Sequence, residues 1–440
     1  MATKDDILKT VQDKDVGFIR IWFTDVLGFL KSFAITPPEL EGAFDEGLGF
    51  DGSSIRGFTG IEESDVVAWP DASTFQILPW RPKEQAVARM FADITNPDGS
   101  PLEADPRFVL KKMIKKAADK GYTFYIGPEL EYFYFKTDES TEFLEKVGYF
   151  DQSTKSLDIE LRRETVLALE KMGIQIEKSH HEVSPSQHEI DMHYADGLTM
   201  ADWTITYKHT VKAIAQRFNV AATFMPKPVQ GINGSGMHCH QSLFEGDKNA
   251  FWDPNDEYHL SRVAKSYMAG LLKYAPEFAI ITNPWVNSYK RLVPGYEAPV
   301  YLAWARRNRS ALVRVPMYKP NKEKATRCEL RCPDPSSNPY LAFTVMLGAG
   351  LKGIEESLEL APPVEKNIFH LDCEERDSLK IKEMPGSLLE AINIAEKSDF
   401  LKETIGESVF KYYIENKKCE WDRFRIAVTD WEIKEYLHLL

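Results

Sequence analysis

The chain has 440 residues, a formal net charge of −13 at pH 7 and 43% hydrophobic residues. This length predicts a globular protein of two or more domains, or one large domain with an appendage. The acidic balance argues against a nucleic-acid-binding protein, because affinity for phosphate backbones depends on clustered Lys and Arg side chains.

The chain carries no recognisable targeting or membrane pattern. Its first residues, MATKDDILK, lack an apolar stretch of signal-peptide length, and no window approaches the roughly 18 uninterrupted apolar residues of a membrane span. The five cysteines are an odd number spread thinly along the chain, which favours free thiols in a reducing compartment. We therefore expect a soluble, cytoplasmic protein with no membrane partner.

The first 100 residues or so alternate between short strands and short helices. The pattern predicts a helix at 4–14, the strands VGFIRIWF and FLKSFAI, and a helix after the TPP stretch at 36–38. Further short strands are predicted at VVAW, FQIL and AVARMFADI. A turn-forming stretch, NPDGSP, precedes a helix with Asp105 as N-cap, Pro106 at its first position and Gly121 at its end. We place a domain boundary here, between 1–103 and 104–440.

The rest of the chain mixes strands with long helices. Helices are predicted at LRRETVLALEKMG, ADWTITYKHTVKAIAQRF, RVAKSYMAGLLKYAPEF and NPYLAFTVMLGAGLKGIEESL, and in the C-terminal region from about Ser387. No internal repeat or low-complexity segment is visible. The predicted fold class is α+β.

One predicted strand, YTFYIGPELEYFYF, has a charged face. Alternation puts Glu129 and Glu131 on one side and Leu130 and Tyr132 on the other. Two carboxylates about 7 Å apart repel each other unless a cation lies between them. A solvated sheet edge would explain one such pair equally well.

The same pattern recurs in three other segments, HHEVSPSQHEIDMH, GMHCHQS and RCELRC. Their charged faces carry Glu182 and Glu189, then His238 and His240, then Arg327, Glu329 and Arg331. Because apolar residues lie behind each charged row, we predict a curved sheet that lines a charged cavity. Five glutamates and a histidine are hard ligands, which suit Mg²⁺ or Mn²⁺, and six ligands could hold two ions.

Arginines near these carboxylates indicate a second function for the cavity. Arg327 and Arg331 flank Glu329, and the segment before them adds Arg291, Arg309 and Arg314. Arginine matches the oxygens of phosphate in two-point contacts. We therefore predict phosphoryl transfer, in which catalysis is mainly positioning and charge neutralisation.

Seven motifs, in order and over essentially the whole chain, resemble class I glutamine synthetase: FDGSS, GPELEYF, HHEVSPSQHEI, NGSGMHCHQS, KRLVPGYEAP, NRS and RCELRCPDPSSNPY. The resemblance implies a small β-grasp-like domain at 1–103, then a large catalytic domain at 104–440 with a curved antiparallel sheet flanked by helices. It implies ATP-dependent ligation of ammonia to L-glutamate through γ-glutamyl phosphate, in nitrogen assimilation.

The resemblance also implies roles for individual residues. The implied ligands are Glu131, Glu182 and Glu189 for a first metal, and Glu129, His238 and Glu329 for a second. The implied glutamate-binding residues are Asn233, Gly234, Arg291, Glu297 and Arg331. The implied ATP-binding residues are Tyr194, His240, Ser242, Arg309, Arg314, Lys324 and Arg327. The implied catalytic residues are Asp51, Glu297 and Arg309.

Within that implied mechanism, Asp51 of the neighbouring subunit binds ammonium and helps to remove its proton. Glu297 belongs to a flap that closes over the acyl phosphate. The implied cofactors are two or more Mg²⁺ or Mn²⁺ ions, with ATP as co-substrate. The implied assembly is a dodecamer of two hexameric rings with active sites between adjacent subunits. Phe369 stands where adenylylated members carry tyrosine, and Gly60 stands where a feedback-inhibited subgroup carries arginine, so neither mode of regulation is expected.

Two alternative functions would each require the loss of residues that this chain retains. A γ-glutamyl ligase for a polyamine or another amine should lack the ammonium-site carboxylate, but Asp51 is present. A non-catalytic structural relative should lack metal ligands, but all six are present.

Overall fold

The computed structural model describes residues 3–60, 64–152, 157–296, 298–317, 322–366, 368–379 and 381–440. The α-helices of these residues are α1 Lys4–Asp13, α2 Leu40–Glu46, α3 Pro106–Ala118, α4 Asp158–Lys171, α5 Gly197–Arg217, α6 Arg262–Thr282, α7 Ser288–Arg291, α8 Pro339–Glu355, α9 Cys373–Ser378, α10 Leu388–Ala395, α11 Asp399–Ile405, α12 Glu407–Arg425 and α13 Asp430–Tyr436.

The strands of the same residues are β1 Val16–Thr24, β2 Leu30–Ile35, β3 Leu48–Asp51, β4 Asp65–Pro70, β5 Gln76–Ile77, β6 Ala86–Thr95, β7 Thr123–Phe135, β8 Ile176–His181, β9 Gln187–Met192, β10 Ala195–Asp196, β11 Ala221–Thr223, β12 Met237–Glu245, β13 Lys248–Asn249, β14 Tyr301–Ala305, β15 Ala311–Arg314 and β16 Cys328–Leu330.

The N-terminal part folds around its own sheet. Its strands follow the order β2-β1-β6-β4-β3, with β5 paired to β6, and β1 runs parallel to β6. Alternate residues of β1, Ile19 and Ile21, are fully buried and pack in one core with Met90 of β6. Asp51 ends β3, which lies at one end of this strand order.

A second, larger sheet organises the rest of the chain, in the order β14-β15-β16-β12-β7-β9-β8. The pairs β7–β12, β7–β9, β8–β9 and β12–β16 are antiparallel, as predicted. β14 and β15 are instead parallel, so the sheet is mixed at that edge. The predicted α+β class is confirmed.

One face of this sheet is apolar and packs on helices. Leu130, Tyr132 and Cys239 are fully buried, and the Tyr207 hydroxyl of α5 donates to the Leu130 carbonyl at 3.1 Å. Alternation then directs the neighbouring residues of β7 and β12 to the opposite face. The helix before β7 begins as predicted, because the Asp105 side chain accepts from the Arg107 amide.

A buried arginine connects the two parts of the fold. Arg107, on α3, lies 2.7 Å from Asp71 and 2.5 Å from Asp93, both from the N-terminal part. It also lies 3.0 Å from Asp202 of α5, which accepts from the Tyr340 hydroxyl of α8 at 2.6 Å. Burial opposes its charge, but these carboxylates hold the pKa of Arg107 well above its usual value. The Arg107 side chain therefore forms ion pairs with both parts of the fold.

Candidate active site

The charged face of the large sheet brings together side chains from several strands. The register places acidic and histidine residues opposite one another, namely Glu129 with His238, Glu131 with Glu189 and Glu329 with His240. Side chains of directly opposed residues lie on the same face about 5 Å apart. Glu182 follows the last residue of β8 and joins the same face.

These residues surround a cavity of about 370 Å³, called here the first cavity. The predicted residues that line it are Glu129, Glu131, Glu182, Glu189, Asn233, Gly234, His238, Arg291, Arg309, Arg314 and Arg331. Glu329 is fully buried rather than part of this lining. The structure therefore places the metal and glutamate residues predicted from the sequence in and beside one chamber, apart from Glu297, which lies outside the described residues.

Three side chains at the β8–β9 end form what we call the Glu182 group: His180, Glu182 and Glu189, with one ligand atom each within 4.8 Å of the others. His180 Nε2 lies 2.8 Å from Glu182 and 3.7 Å from Glu189. Burial, together with the negative charges of Asp191, Glu129 and Glu131, raises the pKa of Glu189 well above its usual value. This end of the cavity carries an excess of negative charge, which a bound cation would relieve.

Glu129 of β7, His240 of β12 and Glu329 of β16 form the Glu329 group, again with ligand atoms within 4.8 Å. Arg314 Nε lies 3.1 Å from Glu329, and Arg331 also pairs with this carboxylate. Burial opposes ionisation, but Arg331 and the nearby histidines hold the pKa of Glu329 below its usual value. Here the chain itself supplies positive charge.

The two histidines of β12 have different partners. His240 Nε2 lies 3.0 Å from Glu129, and its Nδ1 accepts from Arg327 Nε at 3.2 Å. His238 Nε2 lies 3.4 Å from Glu131, and its Nδ1 lies 3.1 Å from the Arg331 carbonyl oxygen. The structure thus groups His240 with Glu129 and Glu329, whereas the family resemblance implies His238 for that set.

Arg291 is held rigidly in the wall of the first cavity. Its guanidinium donates to the carbonyl oxygens of Cys332 at 2.7 Å, Pro333 at 3.1 Å and Arg331 at 3.2 Å. The side chain is buried, and burial lowers its pKa from the usual arginine value. A cation fixed in this way is well placed to bind a carboxylate of a substrate.

A second cavity, of about 680 Å³, adjoins the first. It is lined by the predicted nucleotide residues Tyr194, His240, Ser242, Arg314, Lys324 and Arg327. Arg309, which was predicted with them, lines the first cavity instead. Glu129, Lys178 and Arg314 line both cavities, so these residues form a shared wall.

Comparison with known proteins identifies the family. The sequence model of the glutamine synthetase catalytic domain matches residues 103–436, and that of the glutamine synthetase β-grasp domain matches residues 15–97. The chain belongs to the glutamine synthetase family.

Individual relatives agree over the full length. A glutamine synthetase of Methanosarcina mazei is 52% identical over 100% of this chain and 98% of its own. Among solved structures, a GmaS/ADP complex has a TM-score of 0.90 at 29% identity over 100% of both chains. A Plasmodium falciparum glutamine synthetase has a TM-score of 0.89 at 26% identity over 99% of both. The chain is therefore an enzyme, an ATP-dependent ligase that forms glutamine.

The glycine-rich turn of this glutamine synthetase needs its glycines for close packing. A Cβ atom on Gly234 would lie 2.2 Å from the Pro226 carbonyl oxygen, which already accepts from the Ser235 amide at 2.8 Å. A Cβ on Gly236 would lie 2.7 Å from Arg291. Glycine thus lets the backbone at Asn233 and Gly234 form the cavity wall directly.

Asp51 stands apart from the other predicted residues. Its carboxylate is exposed and accepts from the Ser53 amide at 2.8 Å and hydroxyl at 2.7 Å, and these bonds lower its pKa. Within the described part of the chain, Asp51 is not among the residues that line either cavity.

None of the helices in the described residues has both the length and the apolar character needed to span a membrane.

Sequence reasoning missed several residues of the first cavity, including Tyr149, Lys178, His180 and Gln187. His180 could have been found, because it lies two residues before Glu182, on the same face by alternation, and opposite Glu189 in the register. Tyr149 lies in a segment without regular periodicity, where no local pattern predicts which face a side chain occupies.

Proposed function

We propose that this enzyme converts L-glutamate, ammonia and ATP to L-glutamine, ADP and phosphate within the two adjoining cavities, through γ-glutamyl phosphate. The observation that carries the proposal is the shared wall of Glu129, Lys178 and Arg314. A nucleotide in the second cavity would direct its terminal phosphate past this wall toward a glutamate in the first. The ADP complex of the related GmaS structure supports a nucleotide site in this fold.

The donor set fits two or more divalent cations, Mg²⁺ or Mn²⁺. Carboxylates and imidazoles predominate, and Glu189 is buried beside the carboxylates of Asp191, Glu129 and Glu131, which raises its pKa. We assign Glu131, Glu182 and Glu189 to one cation and Glu129, His238 and Glu329 to another. His180 and His240 lie within reach of the same carboxylates. When bound, the cations supply charge neutralisation to the phosphate oxygens.

The residues of the chain divide the remaining work. Arg291 and Arg331, with the backbone at Asn233 and Gly234, would hold glutamate and orient its side-chain carboxylate. Arg314, Lys324 and Arg327 would bind the phosphates of ATP. Arg309, on the first-cavity side, would contact the transferring phosphoryl group and so lower the barrier to acyl phosphate formation.

Tyr194 and Ser242 would contact the nucleoside. Ammonia then displaces phosphate from the acyl phosphate. Because ammonium has no lone pair, a carboxylate must bind it and take its proton. We assign these steps to Asp51 and to Glu297, whose loop would also keep water from the intermediate.

The position of Asp51 supports a site shared between subunits. Its carboxylate is exposed on the N-terminal sheet and lines neither cavity among the described residues. We propose that it completes the site of the next subunit, through head-to-tail contacts that close into a hexameric ring. Two stacked rings would give a dodecamer. We place the enzyme in the cytoplasm and its domain boundary at 103/104.

Mixing inactive variants tests both the chemistry and the shared site. Asp51→Ala and Glu329→Ala should each be nearly inactive in a coupled assay for phosphate release that depends on glutamate and ammonium. The two variants are then dissociated, mixed in equal amounts and reassembled. Roughly a quarter of the sites should become active, because random assembly places an intact Asp51 beside an intact Glu329 at about one interface in four. No recovery in rings proven to be mixed by mass would show that each site lies within one chain.

The amine specificity needs its own assay. We expect phosphate release with ammonium to exceed release with putrescine or methylamine at the same concentration, because Asp51 is present for a small cation. Faster turnover with a larger amine would contradict the assignment and favour a γ-glutamyl ligase of different specificity.

A further inference from the structure

A buried polar cluster lies beside the Glu182 group. His181 ends β8 and is 1% exposed, and His188 opposes it on β9 and is fully buried. Glu145 lies between them: its Oε1 is 2.8 Å from His181 Nε2 and 3.7 Å from His188 Nε2. His181 and His188 are the immediate neighbours of Glu182 and Glu189, so this cluster supports the strand ends that carry both carboxylates.

The partners of His181 determine where its protons lie. Its Nδ1 is 2.6 Å from the backbone carbonyl oxygen of Glu182, which can only accept a hydrogen bond. Its Nε2 faces the Glu145 carboxylate, whose other oxygen accepts from the Val147 amide at 2.7 Å. The His181 ring therefore donates from Nδ1 to the Glu182 backbone and is held at Nε2 by the Glu145 carboxyl group.

The partners of His188 determine its state in the same way. Arg162 Nη1 can only donate, and it lies 2.8 Å from His188 Nδ1, so Nδ1 accepts and Nε2 carries the proton. Arg162 is in turn 3.2 Å from Asp158. His188 therefore faces Glu145 with an N–H rather than with a lone pair, at 3.7 Å.

The cluster also ties a loop to the strand ends. The Glu145 amide donates to Ser186 Oγ at 3.1 Å, and Ser186 Oγ donates to the Glu145 carbonyl oxygen at 3.1 Å. The Phe150 amide donates to the His181 carbonyl oxygen at 3.2 Å. Residues 145–150 are thus held against β8 at both ends of the segment, and Tyr149 within it lines the first cavity.

We propose that the hydrogen-bonded pair of Glu145 and His181 positions Glu182: His181 holds the Glu182 backbone by its carbonyl oxygen, and Glu145 fixes the His181 ring. The inference rests on the proposed role of Glu182 as a metal ligand. The Glu182 carboxylate itself is not bonded to this pair: one oxygen lies 2.8 Å from His180 Nε2, and the other accepts from the Val183 amide at 3.2 Å. Groups that orient a ligand in this way typically change metal affinity by about 10–100-fold.

The test is a Mn²⁺ titration without nucleotide, in which the electron paramagnetic resonance signal reports free Mn²⁺. Glu145→Gln keeps the shape of the side chain, loses its charge, and places an amide group against the Val147 amide. We expect it to weaken Mn²⁺ binding about 10-fold. His181→Gln, which can make only one of the two donations at a time, should weaken binding similarly. The double variant should be no weaker than either single variant, because the two residues act as one unit.

Three controls separate the outcomes. Glu142→Gln changes an exposed glutamate of the same loop, which pairs with Lys136, and should leave Mn²⁺ affinity unchanged. ADP affinity should change in none of these variants, because the Glu329 group lies on other strands. Glu145→Asp keeps the charge and should recover part of the Mn²⁺ affinity. If Glu145→Gln does not fold, Glu145→Asp replaces it in the comparison with the wild type.

The results distinguish two failures. If Glu182→Gln weakens Mn²⁺ binding while folded Glu145 and His181 variants bind normally, the pair is purely structural and the inference is wrong. If Glu182→Gln itself leaves Mn²⁺ affinity unchanged, Glu182 is not a ligand, and the metal assignment falls together with this inference. A lowered melting temperature without lost affinity in the folded protein also counts against positioning.

Discussion

The Glu182 group, at the β8–β9 end of the large sheet, and the Glu329 group, on β7, β12 and β16, contain the same residue types and differ in electrostatics. Glu329 is buried with Arg314 and Arg331, and its pKa is lowered. Glu189 is buried among other carboxylates, and its pKa is raised. The chain itself supplies positive charge to Glu329, whereas a bound cation would relieve the negative charge around Glu189. The comparison teaches that the same types of ligand can lie in opposite electrostatic environments.

The largest effect is expected at the Glu329 group. Glu329→Ala should lower glutamine formation by about a thousandfold or more, as loss of a central charge-stabilising group does. It should also cost about 3–5 kcal/mol of unfolding free energy, because the buried Arg331 and the partly buried Arg314 would lose the carboxylate that they share. Phosphate release and urea denaturation measure the two effects. Glu359→Ala, at an exposed position, is the matched control, and normal turnover in folded Glu329→Ala would refute the assignment.

The opposite sign is expected for stability at the Glu182 group. The folded-state pKa of Glu189 is raised, so its ionised form is disfavoured in the fold at pH values above that pKa, and the penalty is relieved as pH falls through it. Glu189→Gln should therefore stabilise the chelator-treated protein at pH 7.5 by about 1–3 kcal/mol.

Glu329→Gln should instead destabilise the protein under the same conditions, and both variants should lose activity. Added Mn²⁺ should raise the melting temperature of the wild type more than that of Glu189→Gln, because ligand binding to the folded state stabilises it. The measurement is the melting temperature of each variant with and without chelator. Equal changes in melting temperature for Glu189→Gln and Glu329→Gln would contradict the electrostatic difference between the two groups.

A smaller effect separates the two cavities. Tyr194, which is 59% exposed, lines the second cavity, and Tyr149 lines the first. Tyr194→Ala should raise the KM for ATP about tenfold and leave the KM for glutamate unchanged. A tenfold change corresponds to ~1.4 kcal/mol, which is within the range for the loss of one aromatic stacking contact. Tyr149→Ala should do the reverse. Steady-state kinetics with each substrate varied in turn would expose any mixing of the two roles.

Alternation predicted the faces of the sheet well. Glu129 and Glu131 lie on the charged face of β7 because side chains alternate along any strand, and Leu130 is buried behind them for the same reason. The start of α3 followed from capping and turn residues such as Asp105, and the helix predicted at 4–14 is present as α1. These features depend on neighbours in the sequence, which a single sequence displays.

Features set by distant contacts were missed. The parallel pairing of β14 with β15 depends on how the chain crosses between strands, which local pattern does not encode. The proximity of His240 to Glu129 and Glu329 depends on the register of three strands at once. The ligand sets, Asp51 and Glu297 came from family resemblance rather than from spacing, and their roles stay predictions.

Arg107 joins Asp71 and Asp93 of the N-terminal part to Asp202 of the large core, across a long stretch of sequence. Unfolding of the N-terminal part alone would leave this buried guanidinium with only one of these three carboxylates, at a cost of several kcal/mol. The two cores are therefore coupled in unfolding: calorimetry of a single subunit should register one cooperative transition, and partial unfolding of the sheet that bears Asp51 should be a rare fluctuation rather than an intermediate.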